Sequence, residues 1–462
     1  MNWLFAALAG IGFVEILMRV QFFATLGRFQ HILARVPAIL RSERISDHWK
    51  EKVLPRYALM MLRTTGRVAV SLLAAFAPFA LLAGLAHLMG VAFLDFSMSW
   101  AGLIFITVVA LAYAKLRPVG GSSDYGAGAQ LLHRLALGSR AVAEVSMDID
   151  QKLYPVDRDR VAQEPHVFVA GLARAGTTIL MRQLHATGAF RSLTYRDMPF
   201  VLAPNLWARL SGGARQQMAA QERAHGDGIL VDFDSPEALE EVFWRVQCGE
   251  SYIHADRLTP MQVPSDIRAA FQGYVASILR AAEGKRYLSK NNNNILRLPE
   301  IAAAFPQAVL LIPFRDPLTH ARSLMRQHRD FLARDAEDHF ARQYMTWLAH
   351  HEFGADHRPF VFTEAPPEGD PASDLDYWLR LWRATYEALL RTAPDAAVFV
   401  CYETLCDDTE TVWPKLCARL DLPEAAPAET LRRPDRPAAE PDETELLQAC
   451  RALYGDLRAR AI

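Results

Sequence analysis

The stretch His166–Leu184, HVFVAGLARAGTTILMRQL, changes character twice. His166–Leu172 is a short apolar run rich in β-branched and aromatic residues, which predicts a buried strand. Gly171 and Gly176 bound a loop, and Ile179–Leu184 resumes with helical spacing. Strand, glycine-bounded loop and helix start are the ingredients of an anion nest, in which successive backbone amides and a helix N-terminus converge on one phosphate or sulfate. The glycines permit close approach, and Thr177 and Thr178 add hydroxyl donors. The plainer reading is a strand-to-helix turn capped by threonine.

The spacing matches the GxxxxGK[ST] loop of nucleoside triphosphatases except at the decisive position. There a Lys directly after the second Gly reaches the β- and γ-phosphates. Here that position is Thr177, and the cation lies three residues earlier as Arg174. A charge moved inside the loop suits a shorter phosphate chain with a reactive group at the 5′ end.

Three further segments carry chemistry. Ala308–Phe314 reads as a second buried strand, followed by Arg315-Asp316-Pro317. A helix starting at Pro317, where a first-turn proline is favoured, places Ser323 about two turns in. Arg315 and Ser323, eight apart, could then grip one further phosphate. Arg286–Lys290 is a short strand candidate ending in Lys290 and Asn291–Asn294, and Ala397–Leu405 is a strand candidate ending in Tyr402-Glu403. Each has an ordinary reading taken singly: an ion pair at Arg315–Asp316, a solvated Lys290, a core aromatic at Tyr402.

Taken in order, these elements resemble the PAPS-dependent sulfotransferases, above all their bacterial and Golgi tyrosine-protein branches; PAPS is 3′-phosphoadenosine 5′-phosphosulfate. GLARAGTT resembles their 5′-phosphosulfate loop, commonly PRSGTT or PKSGTT, with Ala173 and Ala175 replacing the usual Pro and Ser. FRDPLTHARS resembles their 3′-phosphate motif, YLSKNN the strand-then-Lys element, and CYETL the late YExL strand. The resemblance spans about residues 165–420. It implies a three-layer α/β sandwich around a central parallel sheet, with strands near 167–171, 286–289, 309–314 and 397–402 and covering helices such as Tyr377–Leu390. Ligand groups then stand at the strands' carboxyl ends. It also implies that Arg174, Ala175, Gly176, Thr177 and Thr178 hold the 5′ end of PAPS, Arg315 and Ser323 its 3′-phosphate, and that Tyr402 flanks the nucleotide. Arg174 and Lys290 would stabilise the leaving oxygen without a metal.

The acceptor must lose a proton, so a base is needed near the sulfonate. The Glu position of the tyrosine-protein branch falls near Thr194, and Asp197 just beyond it is the first candidate. His225, Glu237 and Glu240 compete, although Asp234-Ser-Pro-Glu-Ala-Leu-Glu240 also reads as a capped helix start with acids in its first turn. Arg196 serves the acceptor or pairs with Asp197.

Upstream, Val68–Leu94 and Phe96–Ala114 contain no Asp, Glu, Lys or Arg. About 20 apolar residues span a bilayer core, which predicts a transmembrane helical hairpin in residues 68–117, with spans near 68–86 and 98–114 and a turn containing Asp95. Residues 19–67 carry ten Lys or Arg against three Asp or Glu, which by the positive-inside rule places both ends and the body in the cytoplasm, on the inner membrane. Met1–Val14 is apolar and reads as an interfacial helix leading a basic juxtamembrane segment (1–67), with a third span as the rival. Residues 118–128 read as a linker, and 129–462 as the catalytic body.

With 462 residues and 51% hydrophobic composition the chain is not disordered, and a formal net charge of −2 gives no general reason to expect nucleic-acid binding. Five cysteines without a CxxC pair favour a reducing compartment and argue against a cysteine zinc site. The expectation is therefore a membrane-anchored sulfotransferase with PAPS as co-substrate and an amphiphilic acceptor, a lipid or lipid-linked glycan. Two rivals stand beside it: a P-loop kinase using Asp316 for Mg²⁺, and a non-catalytic tethered nucleotide binder.

Overall fold

The computed structural model describes residues 1–20, 22, 47–116, 127–211, 221–222, 230–231, 238–337, 339–363, 365–423, 426–431 and 443–462. His225, Glu237, most of the expected linker and residues 23–46 of the basic segment lie outside these. The chain divides into two units, Met1–Leu131 and Leu132–Ile462.

The second unit is built on strands β1 (Val167–Val169), β2 (Phe190–Arg191), β3 (Gln221–Glu222), β4 (Leu230–Val231), β5 (Arg286–Lys290), β6 (Val309–Phe314) and β7 (Ala397–Cys401). Five form one sheet in the order β2-β5-β1-β6-β7, while β3 and β4 form a separate antiparallel pair. Every pairing in the large sheet is parallel, and Val169 aligns with both Lys290 and Leu311. All five carboxyl ends therefore share one edge, where open α/β sheets bind ligands.

Side chains on a strand alternate between faces, and the two cores divide accordingly. Val167, Val169, Leu288, Val309 and Leu311 pack with Leu180 and Leu184 of the helix Thr177–Ala186 and with Trp413. Phe168, Leu310, Ile312 and Phe314 face the other core, with Phe271, Trp382 and Tyr386. Helices on both sides make the architecture a three-layer α/β sandwich, as the sequence leads one to expect. The expected strands lie within two residues of their places, β2 was not anticipated, and Tyr402 opens the helix Tyr402–Asp407 instead of ending β7.

One buried polar network fixes the segment after β5. Arg297 donates to both oxygens of Glu241 at 2.7 and 2.9 Å, with both side chains almost completely buried. Glu241 also accepts from the hydroxyl of Tyr252 and from Asn291 Nδ2, and the Arg297 guanidinium stacks over Trp244 and Tyr252. Glu240 accepts from Trp244 Nε1, Tyr287 Oη, Asn291 Nδ2 and Asn294 Nδ2. A buried charge is tolerated only with such pairing. The network ties Asn291–Leu296 to the helix Glu241–Tyr252 and thereby sets the end of β5, where Lys290 stands.

In the first unit the helix Asn2–Arg19 packs on both Asp47–Leu88 and Trp100–Leu116. A Cβ on Gly12 would lie 2.8 Å from Pro78 Cβ, and one on Gly10 would lie 3.1 Å from the Ile106 carbonyl. Glu15, the charge that interrupts this apolar helix, accepts from the Tyr113 hydroxyl at 3.0 Å. Helix 2–19 is thus packed against both neighbours. Among the described residues one helix, Met60–Leu88, is long and apolar enough to cross a membrane, with a mean hydropathy of 2.3. The apolar stretch Trp100–Tyr113 falls short of about 20 residues, and the turn expected at Asp95 is the helix Phe93–Met98. Among the described residues the structure supports one crossing by length and composition, and the 17-residue helix Trp100–Leu116 lies at the short end of what spans a bilayer core.

Candidate active site

Gly171–Gly176 leaves β1 at the carboxyl edge and enters the helix Thr177–Ala186. Arg174 adopts φ 67° and Gly176 φ 94°, both left-handed. Arg174 is the unusual member, because a non-glycine residue in that region carries strain of order 1–3 kcal/mol, a cost that surrounding contacts must hold in place. Those contacts are present. Arg315 Nη1 donates to the Arg174 carbonyl at 2.8 Å, and His320 Nε2 donates to the Ala173 carbonyl at 2.7 Å.

The two motifs that sequence separates are joined here. Arg174 Nε donates to Ser323 Oγ at 3.3 Å, across 149 positions of chain. Arg315 closes β6, and its guanidinium lies 5.5 Å from the Tyr402 ring centroid and 3.9 Å from Glu403 Oε1. Its Nε is buried, faces Glu403 Oε1 and makes no hydrogen bond. Glu403 is in turn fixed by the Asp316 amide and the Tyr454 hydroxyl, each at 3.1 Å. Asp316 Oδ1 accepts from the Thr319 amide at 2.9 Å, capping the helix Pro317–Glu337, so the acid required by the kinase reading is spent on a helix start.

Gly176 is required by packing as well as by backbone. A Cβ there would lie 2.5 Å from Tyr402 Cδ2. Gly176→Ala is expected to destabilise the fold by about 1–3 kcal/mol, seen as a lower thermal midpoint. Tyr402→Ala in the same chain should recover the part due to collision, leaving the part due to φ.

Lys290 ends β5 opposite Val169 and shares the face of Leu288, which carries the loop helix. It is buried. After it, Asn292 Nδ2 donates to Glu352 Oε1 at 2.8 Å, while Asn292 Oδ1 accepts from Thr177 Oγ1 at 3.5 Å. Burial would raise the Glu352 carboxyl, but His350, Lys290 and the Asn292 amide together hold it below the ordinary carboxylate range.

The structure thus gathers Arg174, Gly176, Thr177, Lys290, Arg315, Ser323 and Tyr402 at one edge. Asp197 does not join them. Its carboxylate takes two 2.8 Å bonds from Arg191 Nη2 and closes a capping box on Thr194, which makes it a structural acid. Glu240 belongs to the Arg297 network. Sequence reasoning missed His320 and Glu352. His320 had a signal: it lies one helical turn before Ser323 and so shares its face toward the loop. Glu352 had none, since only tertiary folding brings it to Asn292. Among the described residues no group of three or more His, Cys, Asp or Glu is placed to hold a metal ion.

Residues 165–364 match the model of the sulfotransferase family. Among solved structures, sulfotransferase STF1 from Mycobacterium tuberculosis H37Rv is 16% identical over 77% of this chain and 90% of that one, with a TM-score of 0.36. Sulfotransferase STF9 from Mycobacterium avium is 16% identical over 75% of this chain and 81% of that one, also at 0.36. The sulfotransferase domain from the curacin biosynthetic pathway is 13% identical over 57% and 76% respectively, at 0.29. No curated protein matches.

Proposed function

We propose that this chain, whose residues 165–364 belong to the sulfotransferase family, transfers the sulfuryl group of PAPS to a hydroxyl or amine of a membrane-associated acceptor, a lipid or lipid-linked glycan, and releases 3′,5′-adenosine bisphosphate (PAP). The observation that carries the reading is the contact of Arg174 with both Ser323 and Arg315. Two cationic groups, one in a glycine-bounded loop and one at the next strand end, suit a ligand with an anion at each end of a nucleoside.

In this reading Arg174, Lys290 and the amides of Gly176–Thr178 hold the 5′ end. They neutralise the charge that grows on the bridging oxygen and on the equatorial sulfonate oxygens as the S–O bond breaks, which is preorganised electrostatic stabilisation. Arg315, with Ser323 beside it, holds the 3′-phosphate, and Tyr402 flanks the nucleoside. His320 keeps the loop carbonyl of Ala173 turned away from the anion by donating to it. Burial first, then Arg315 and Arg174, depress the His320 imidazole to about 3, so it stays a neutral donor at physiological pH.

The apolar helix Met60–Leu88 supports attachment to a membrane by length and composition. An enzyme held at that surface meets amphiphilic acceptors at raised local concentration. Membranes containing the full chain, incubated with sulfur-labelled PAPS, are expected to yield a labelled lipid-extractable product and PAP. Consumption of PAPS with soluble products alone overturns the membrane acceptor. Failure to bind PAP or to transfer label overturns the activity.

A further inference from the structure

In-line displacement at sulfur puts the acceptor opposite the leaving oxygen, so the base must stand beside the loop without belonging to it. Among carboxylates near the carboxyl edge, Glu240 and Glu241 are buried and consumed by the Arg297 network. Glu403 is buried against Arg315, Tyr454 and the Asp316 amide, and Asp316 caps a helix. Glu352 differs from these. It is half-buried, lies in the segment between the helix His339–Trp347 and the bridge at Phe360, and faces the site through Asn292 and Lys290.

We infer that Glu352 is the general base that removes the acceptor proton. Asn292 links it to the reacting end. With its Nδ2 donating to Glu352 and its Oδ1 accepting from Thr177 Oγ1, the amide can take one orientation, and it ties the carboxylate to the first residue of the loop helix. The groups facing Glu352 are His350, Lys290, His351 and His357. His350 bonds the Ala238 carbonyl at 3.1 Å and His357 the Tyr377 hydroxyl at 2.8 Å, while Lys290 lies on the sheet face that carries the loop helix. When Lys290 turns its charge to the leaving phosphate oxygen, Glu352 loses part of its countercharge and its affinity for a proton rises at the step that delivers one.

The balance is complete. The acceptor O–H proton passes to a Glu352 carboxylate oxygen, and the acceptor oxygen forms the new O–S bond. The S–O bond to the 5′-phosphate breaks, and its electron pair leaves with PAP.

The inference rests on the sulfuryl-transfer reading, and the experiment separates the two. Full-length enzyme in membranes is assayed with sulfur-labelled PAPS, and PAP affinity is measured by calorimetry. Glu352→Gln is expected to slow label transfer by roughly 10²- to 10⁴-fold, the range for losing a general base, with PAP affinity kept within about twofold of wild type. Glu352→Ala should regain transfer when formate is added, a response that a merely structural role would not give. Glu352→Gln transferring at the wild-type rate, or a loss that formate does not restore, overturns the assignment. If neither variant folds, Glu352→Asp decides: a carboxylate set back by one methylene should keep PAP affinity and lose about 10²-fold in rate, and a wild-type rate overturns the assignment. A wild-type enzyme that neither binds PAP nor transfers label overturns the donor reading instead.

Discussion

Arg315→Ala is expected to weaken PAP binding by about 2–5 kcal/mol, roughly 30- to 5,000-fold in Kd. The residue terminates β6, is buried, and has an Nε without a hydrogen bond, so its removal leaves a phosphate facing an unpaired, desolvated pocket. The substitution also strips Glu403 of its cation and the Arg174 carbonyl of its donor. Part of the loss could then come from a collapsed loop instead of a missing phosphate contact. The double variant Arg315→Ala/Glu403→Gln separates these causes, because it removes the uncompensated carboxylate as well. Thermal stability should recover in the double variant while PAP affinity does not. Arg315→Lys should fall between, since lysine restores the charge without the planar fork that reaches both carbonyl and ligand. Calorimetry showing undiminished PAP affinity in Arg315→Ala would remove the 3′-phosphate from this place in the fold.

What the sequence disclosed and what it concealed follow from how far each feature depends on distant chain. The loop after β1 is local: strand, glycines and helix start are consecutive, and Gly176 with its left-handed φ is the residue the turn needs. The positions of Arg315 and Ser323 in the fold were legible for the same reason, being a strand end and a helix face set by Pro317. The Glu241–Arg297 pair spans 56 positions, and the link from Asn292 to Glu352 spans 60. No periodicity encodes either. At Asp197 a capping acid and a catalytic acid are the same letter in the sequence, and the structure adds the two bonds from Arg191 and the capping box on Thr194. In the first unit, counting uncharged residues located the apolar helices but could not reveal that Phe93–Met98 is helical or that Asn2–Arg19 packs on both neighbours. The two-residue strand β2 is too short for any pattern and exists because β5 offers it an edge.

Acid should destabilise the second unit well above the range in which its carboxylates protonate. His166 donates through Nε2 to the Val161 carbonyl at 2.9 Å and accepts through Nδ1 from the Tyr287 amide at 3.1 Å, a pair of roles that only the neutral ring can fill. Burial depresses it to about 4. His320 is depressed to about 3, and His351 to about 4, in each case chiefly by burial. In the unfolded chain all three titrate near 6.5. Between about pH 6.5 and pH 4 the unfolded state therefore binds more protons than the folded one, and stability falls as pH falls. Each histidine can contribute up to about 1.4 kcal/mol per pH unit across that window, and three together rival the roughly 5–15 kcal/mol that holds an ordinary domain. Urea titrations from pH 7.5 to pH 4.5 should show the midpoint dropping steeply below pH 6.5, with Glu352 and the other depressed carboxylates adding to the decline only below about pH 4.5. His320→Gln keeps an amide donor for the Ala173 carbonyl and cannot take up a proton. It should be less stable than wild type at pH 7.5 yet lose less over the same interval, so the two curves converge toward acid. Parallel curves would mean that the His320 ring is not held neutral by its surroundings, and the rigid loop it braces would need another support.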